Sequence, residues 1–396
     1  MINPYFCYAL SFSIAVVMYA LGWSDLYPSL SRSLLSFLII TVLINVLASL
    51  QFRAKSMIVF RKIENSNDLA PILVTIFLYG LWAAEFVYAG GIPFLNILLK
   101  KPYDYKLFGI PTLHVFIVTF SSFYTIYLFH IFLSQKSYRI LLLYAINLLA
   151  AVLIYNRGML LFNLSASTFL FFIFQGNVSL KHLAWGVPVV FFILFFFGVL
   201  GSLRVSNESR IPYSNEGFLT SGNASQKFLA SGVPAEFFWT YIYTTSPLAN
   251  LQNNIRSNDP PHISISAFLD WVNNEILFDF ISKRVNKFTG KERAKEYTIT
   301  GPFNASTVYS RSFSYLGWWG LILMACTILI LPVFYLQLLS ADSPFFFTGL
   351  VILNTIFLFM IFENTIRFTG LSFQMVYPIL LHVLCRRFHL FKRIFL

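Results

Sequence analysis

Apolar residues along this chain come in long unbroken runs, with polar residues clustered between them. The runs do not alternate with polar positions, which excludes the strands of a membrane barrel. Runs of about 16 to 25 residues match a bilayer crossed by an α-helix. Ten spans are predicted, at 4–22, 33–51, 70–89, 112–133, 140–155, 159–174, 183–202, 314–338, 345–361 and 368–385. The expected fold is all-α, a polytopic membrane helical bundle of about ten transmembrane helices. The first run has no basic leader and no small-residue cleavage site, so it reads as a retained helix.

The polar clusters set the orientation. Arg53, Lys55, Arg61, Lys62, Lys136, Arg139, Lys181, Arg386, Arg387, Lys392 and Arg393 fall on one side under this plan, eleven basic residues in all. The short links opposite carry six: Arg32, Lys100, Lys101, Lys106, Arg157 and Arg367. Basic residues are retained on the cytoplasmic side, so both termini are expected there. Parity then constrains "LLYAINLLAAVLIYNRGMLLFNLSASTFLFFIF", Leu142 to Phe174. One continuous helix would carry the Arg-rich tail outside. The chain must therefore turn at Asn156-Arg157-Gly158, with Arg157 on the outer face.

Three regions follow: 1–202 with seven spans, 203–313 as one large outer-face loop, and 314–396 with three spans and a basic cytoplasmic tail. The loop opens with a Ser/Asn-rich stretch and then turns aromatic in "PAEFFWTYIYTTSPLANL". Beyond it, Ile265, Phe268, Leu269, Val272, Ile276, Phe280 and Ile281 recur at helical spacing, which predicts an amphipathic helix on the membrane or on the bundle.

Composition agrees with a membrane protein. Only 11% of residues are charged and 57% are hydrophobic, whereas soluble domains carry roughly a quarter charged residues. The net charge of +12 is assigned to topology and anionic head groups, not to nucleic acid. Cys7, Cys326 and Cys385 sit in or beside apolar segments and suggest no disulfide. No Asp-x-Asp, metal-ligand cluster, phosphate loop or Gly-x-Ser-x-Gly elbow is present, so no metal or cofactor is expected.

The candidate chemistry is a set of outward arginines at span ends: Arg157, Arg204, Arg210, Arg311 and Arg367. Guanidinium forks hold phosphate oxygens bidentately and keep their charge. The plain alternative is snorkelling at the interface. Glu85, one turn inside the third span, Glu236 among the aromatics and His262 in the loop are the acid–base candidates. His114 reads as a possible cap of the fourth span, and Glu363 and Arg367 as a local i,i+4 pair. Trp239, Tyr241 and Tyr243 suit either stacking on sugar rings or an interface belt.

Three pieces of the chain resemble the bacterial oligosaccharide repeat-unit polymerases, the Wzy-type O-antigen polymerase family. They are "GGIPFLNILLKKPYDYKLFGIPTLH" (90–114), the "NRG" turn (156–158), and "TTSPLANL" (244–251) with "GPFNASTVYSRSFSYLGWWG" (301–320). Where many relatives carry an Asp-Phe-Gly-like run, this chain has Tyr315-Leu316-Gly317, so no acidic role carries over there. The resemblance implies a GT-C-like bundle with a periplasmic active site in a Gram-negative inner membrane. It implies lipid-linked oligosaccharide donor and acceptor on undecaprenyl pyrophosphate. A flippase and a chain-length regulator are the implied partners. An O-antigen ligase, which uses the same donor, and a lipid-linked oligosaccharide flippase are the alternatives.

Overall fold

The computed structural model describes residues 2–55, 60–63, 69–99, 108–176, 195, 198–199, 216–259 and 263–395. Among them the structure is helical, with no β-sheet and one isolated bridge between Ser24 and Ala224. The apolar helices are α1 (Pro4–Ala20), α2 (Arg32–Lys55), α3 (Leu69–Tyr88), α5 (Leu113–Gln135), α6 (Tyr138–Leu153) and α7 (Arg157–Gln175). A short α4 (Pro93–Leu98) links α3 to α5. Later in the chain come α14 (Trp318–Leu339), α15 (Phe346–Phe359) and α17 (Val376–Arg387). Five of these, α2, α3, α5, α7 and α14, are long and apolar enough to cross a membrane, while α1, α6 and α15 are shorter. The predicted seventh span, 183–202, lies outside the described residues except at 195, 198 and 199.

Two helices make the centre. α15 packs on α1, α5, α7 and α14, and α5 packs on α3, α6, α7 and α15. Both are buried over most of their surface, which requires side chains suited to the interior all round the helix. The polar residues of α5 are reconciled with this by bonding back along the helix, as Thr125 does to the Ser121 carbonyl at 2.7 Å. α2, by contrast, exposes a row of leucines and isoleucines, the surface expected toward lipid.

The chain turns where parity required it. α6 ends at Leu153, Tyr155 takes φ +56°, and the Asn156 side chain accepts from the Met159 N–H at 2.9 Å to cap α7. Two other boundaries differ from expectation. The eighth span is broken at Gly317, whose φ of +58° ends a separate α13 (Ser310–Leu316). The tenth is divided into α16 (Thr369–Ser372), a tight turn of 3₁₀ helix (Phe373–Met375) and α17. A final α18 (His389–Phe395) turns back, and its buried Phe395 accepts a hydrogen bond from the Tyr127 hydroxyl.

The large loop is folded onto one end of the bundle. Its elements are α8 (Glu216–Ser221), α9 (Gln226–Leu229), α10 (Phe237–Ser257), α11 (Ile265–Trp271) and α12 (Asp279–Thr289). The predicted single amphipathic helix is interrupted by a π-helical turn, Val272–Ile276. The wider turn rotates Asn274 and Glu275 into the interior and leaves Ile265, Phe268 and Leu269 outside.

Residues 297–305 form neither helix nor strand and are held on α10. The Asn250 side-chain amide donates to the Phe303 and Ala305 carbonyls, both at 2.6 Å, and its oxygen accepts from the Ile299 N–H at 2.8 Å. Asn254 repeats the device on Tyr297 N–H and the Ser310 carbonyl. Asn250→Leu leaves three partly buried backbone groups without this partner and should destabilise the fold by about 1–3 kcal/mol. Thermal unfolding of the purified protein in detergent measures this.

Candidate functional site

The end of the bundle that carries the loop collects the charged groups. α3 delivers Glu85 in its last turn with no exposed surface. The link to α5 delivers the partner: His114 Nδ1–H donates to Glu85 Oε2 at 2.8 Å, and the Ile110 N–H donates to Oε1 at 3.3 Å. The imidazole stands edge-on to Phe108 and Trp82. Gly109 makes the approach possible. It takes φ +95°, and a Cβ there would lie 2.5 Å from His114 Cγ. The carboxylate is sealed while the imidazole is partly open to solvent. A carboxylate acceptor holds the proton on Nδ1, so the neutral ring presents the Nε2 lone pair.

Two arginines sit on segments tied to the surroundings of this pair. The Ile154–Met159 turn and the Glu85–His114 surroundings share one apolar cluster, in which Ile154 and Met159 pack with Trp82, Ile117 and Val118. Arg157 sits on that turn. It is exposed, lies over the Tyr155 ring at 5.0 Å and donates to the Tyr155 hydroxyl at 2.5 Å. It is also the first residue of α7, whose opening turn contains no acidic residue. A cation at the positive end of a helix is unfavourable alone and favourable with an anion. Arg284 of α12 donates to Thr112 Oγ1 at 2.8 Å, two residues from His114.

α12 connects the dyad to a second, buried cluster. Its Asp279 N–H donates to the Arg367 carbonyl at 3.0 Å, and Asp279 accepts from both the N–H and the hydroxyl of Thr369. Burial opposes ionisation of Asp279, but the hydrogen bonds from Thr369 and Lys283 and the Lys283 charge outweigh it and hold the carboxyl below its usual range. Glu275 meets Arg293 at 3.0 Å and accepts from Asn364 at 2.9 Å. Arg367 is 6% exposed and its Nε has no hydrogen-bond partner. Burial and the Arg293 charge lower its affinity for a proton, and Glu275, Asp279 and Glu363 oppose them. The residues from 360 to 368 form no helix, so Glu363 and Arg367 do not make the i,i+4 helical pair the spacing suggested.

The remaining sequence candidates are distributed as follows. Arg311 Nε lies 3.0 Å from Glu296, whose carboxyl is pushed up by burial, so its charge is already compensated. Glu236 starts α10, partly buried, at the edge of an aromatic unit of the loop. Trp239 stacks on Phe218 at 3.5 Å inside that unit, and the Tyr241 hydroxyl accepts from the Trp23 N–H at 3.1 Å. Both rings are buried in packing, and Tyr243 is the one of the three that stays exposed. Arg204, Arg210 and His262 lie outside the described residues. His114, Arg284, Glu275 and Arg293 were not among the expected site residues. Their only signal was polarity at the ends of apolar elements.

Comparison with family models, with curated proteins and with solved structures finds no match to this chain.

Two outcomes follow from the ion pairs. Glu275→Gln leaves the partly buried Arg293 without its carboxylate and should lower stability by about 1–3 kcal/mol, read as a shift in thermal unfolding. Because the folded Asp279 carboxyl lies below its ordinary value of 3.8, its stabilisation is complete above that pH and is lost as pH falls through the folded value. Asp279→Asn should therefore flatten the acid limb of the melting temperature against pH.

Proposed function

We propose that this protein is a membrane-embedded, metal-independent glycosyltransferase that polymerises undecaprenyl-pyrophosphate-linked oligosaccharide repeat units, an O-antigen polymerase of the GT-C-like, Wzy-type family. The growing chain passes from its lipid carrier to a new lipid-linked repeat unit. The site faces the periplasm from the bacterial inner membrane, with both termini in the cytoplasm, and works beside a flippase and a chain-length regulator. The observation that carries the reading is the buried Glu85–His114 pair, with Arg284 bonded to Thr112 two residues from His114 and Arg157 on a turn that packs into the same apolar surroundings.

In this reaction an acceptor hydroxyl oxygen attacks the anomeric carbon of the donor sugar. The bond from that carbon to the pyrophosphate oxygen breaks, and its electron pair leaves with the lipid pyrophosphate. His114 Nε2 takes the hydroxyl proton. Glu85 holds Nδ1–H and compensates the imidazolium that forms. Arg157 and Arg284 neutralise the leaving pyrophosphate, whose low basicity calls for charge more than for a proton. The Arg367 carbonyl holds the start of α12, which carries Arg284. Tyr243 supplies an exposed ring for a sugar. Holding both lipid-linked substrates at the membrane surface provides the orientation.

The test is the lipopolysaccharide ladder of a deletion strain carrying wild type, Arg157→Ala or His114→Ala, with membrane levels matched. Wild type should restore long chains, and both variants should leave core plus a single repeat. In a purified assay His114→Ala should lose about 10²–10⁴-fold in turnover. Loss of the single-repeat band as well would identify a ligase or flippase instead. An unchanged ladder would remove the assignment.

A further inference from the structure

The opposite end of the bundle carries a second feature, independent of the catalytic reading. A cavity of about 400 Å³ opens between the link from α14 to α15 and the last two helices, with Ser340, Asp342, His382, Arg386 and Lys392 in its wall. His382 and Arg386 are one turn apart on α17 and so share a face. Lys392 is brought in by α18, which is held by the buried Phe395. The link is fixed from outside: Arg61 donates to the Asp342 carbonyl at 2.6 Å, and Ser343 N–H bonds to the Ser340 carbonyl at 3.1 Å. Ser340 itself takes φ +60°, a conformation that costs a non-glycine residue energy and is kept where its surroundings impose it.

The charges of this cavity are unbalanced. Among the described residues neither Arg386 nor Lys392 forms an ion pair with a carboxylate, and the Asp342 carboxylate forms none with a cation. Two permanent cations and one carboxylate line the wall, with Arg61 at the Asp342 carbonyl beside it, so the site is net positive. A phosphodiester supplies negative charge to meet it. A carboxylate beside it accepts hydrogen bonds from hydroxyl groups. The surface around the cavity is apolar and exposed, with Leu338 on α14, Val383 on α17 and Leu390 on α18. A free phosphate makes no use of that surface, whereas acyl chains do.

We propose that this cavity binds the headgroup of an anionic, hydroxylated phospholipid of the phosphatidylglycerol type. Its phosphodiester lies on Arg386 and Lys392, its headgroup hydroxyls donate to Asp342, and its acyl chains run along the neighbouring apolar side chains. Basic pockets between transmembrane helices are a recurrent solution for such headgroups.

The experiment is lipid retention by the full-length protein in detergent, read by native mass spectrometry after adding phosphatidylglycerol and phosphatidylethanolamine in equal amounts. The variants are Arg386→Ala with Lys392→Ala, and as a control Arg387→Ala with Arg393→Ala, exposed cations outside the cavity wall. Melting temperatures without lipid confirm that both fold. Wild type should retain phosphatidylglycerol over phosphatidylethanolamine, and the cavity variant should retain about tenfold less, the loss expected for two exposed ionic contacts. The control should match wild type. Equal loss in the control would reduce the effect to diffuse surface attraction and overturn the proposal. Equal retention of the two lipids would also overturn it. Displacement of the lipid by millimolar inorganic phosphate would assign the cavity to free phosphate.

Discussion

The cost of leaving a polar group unpaired in hydrocarbon governs this structure. A backbone amide or carbonyl facing lipid has no water to bond, so the crossing segments close their hydrogen bonds internally as helices. The same cost drives ionisable side chains to the helix ends, where the links are short. The threonines of the two central helices are carried inward by bonding back to their own helix or to a neighbour, as Thr119, Thr125 and Thr355 do. The architecture then has two polar ends and an apolar middle, and any chemistry must sit at an end.

The loop end shows how such a surface becomes ordered without a soluble domain. Side chains replace missing backbone partners: Asn250 and Asn254 pair a segment that forms neither helix nor strand. The π-helical turn at Val272–Ile276 turns Glu275 inward against Arg293 and Asn364. α12 bridges this cluster to the Glu85–His114 pair through Asp279 at one end and Arg284 further along. Arg293 and Arg311 lie against carboxylates, whereas Arg157 makes no ion pair among the described residues. That contrast, more than the number of cations, singles out where an anion gains most.

The helical membrane class, the turn at Asn156-Arg157-Gly158 and the placement of Glu85 and Arg157 at helix ends were legible in the sequence alone. Apolar run length is a local property set by bilayer thickness, and a turn between two runs is forced by parity and marked by its Asn and Gly. Helix breaks inside an apolar run were not legible. Gly317 ends a helix through a positive φ that the composition around it does not announce. The amphipathic period over 265–281 was real, yet one π-helical turn rotated its second half onto a different face.

The tertiary structure alone decided which polar groups meet. His114 reaches a carboxylate 29 residues earlier, and Arg284 reaches a threonine 172 residues away. Such pairings depend on how links cross the end of the bundle, and no periodicity encodes that crossing. The aromatic trio makes the same point, since burial of Trp239 and Tyr241 and exposure of Tyr243 follow from which face of α10 meets Phe218 and Trp23. Sequence determined what must avoid lipid and where the chain must turn, because those are properties of each segment against its solvent. Packing determined the partners, because a contact is a property of two segments at once.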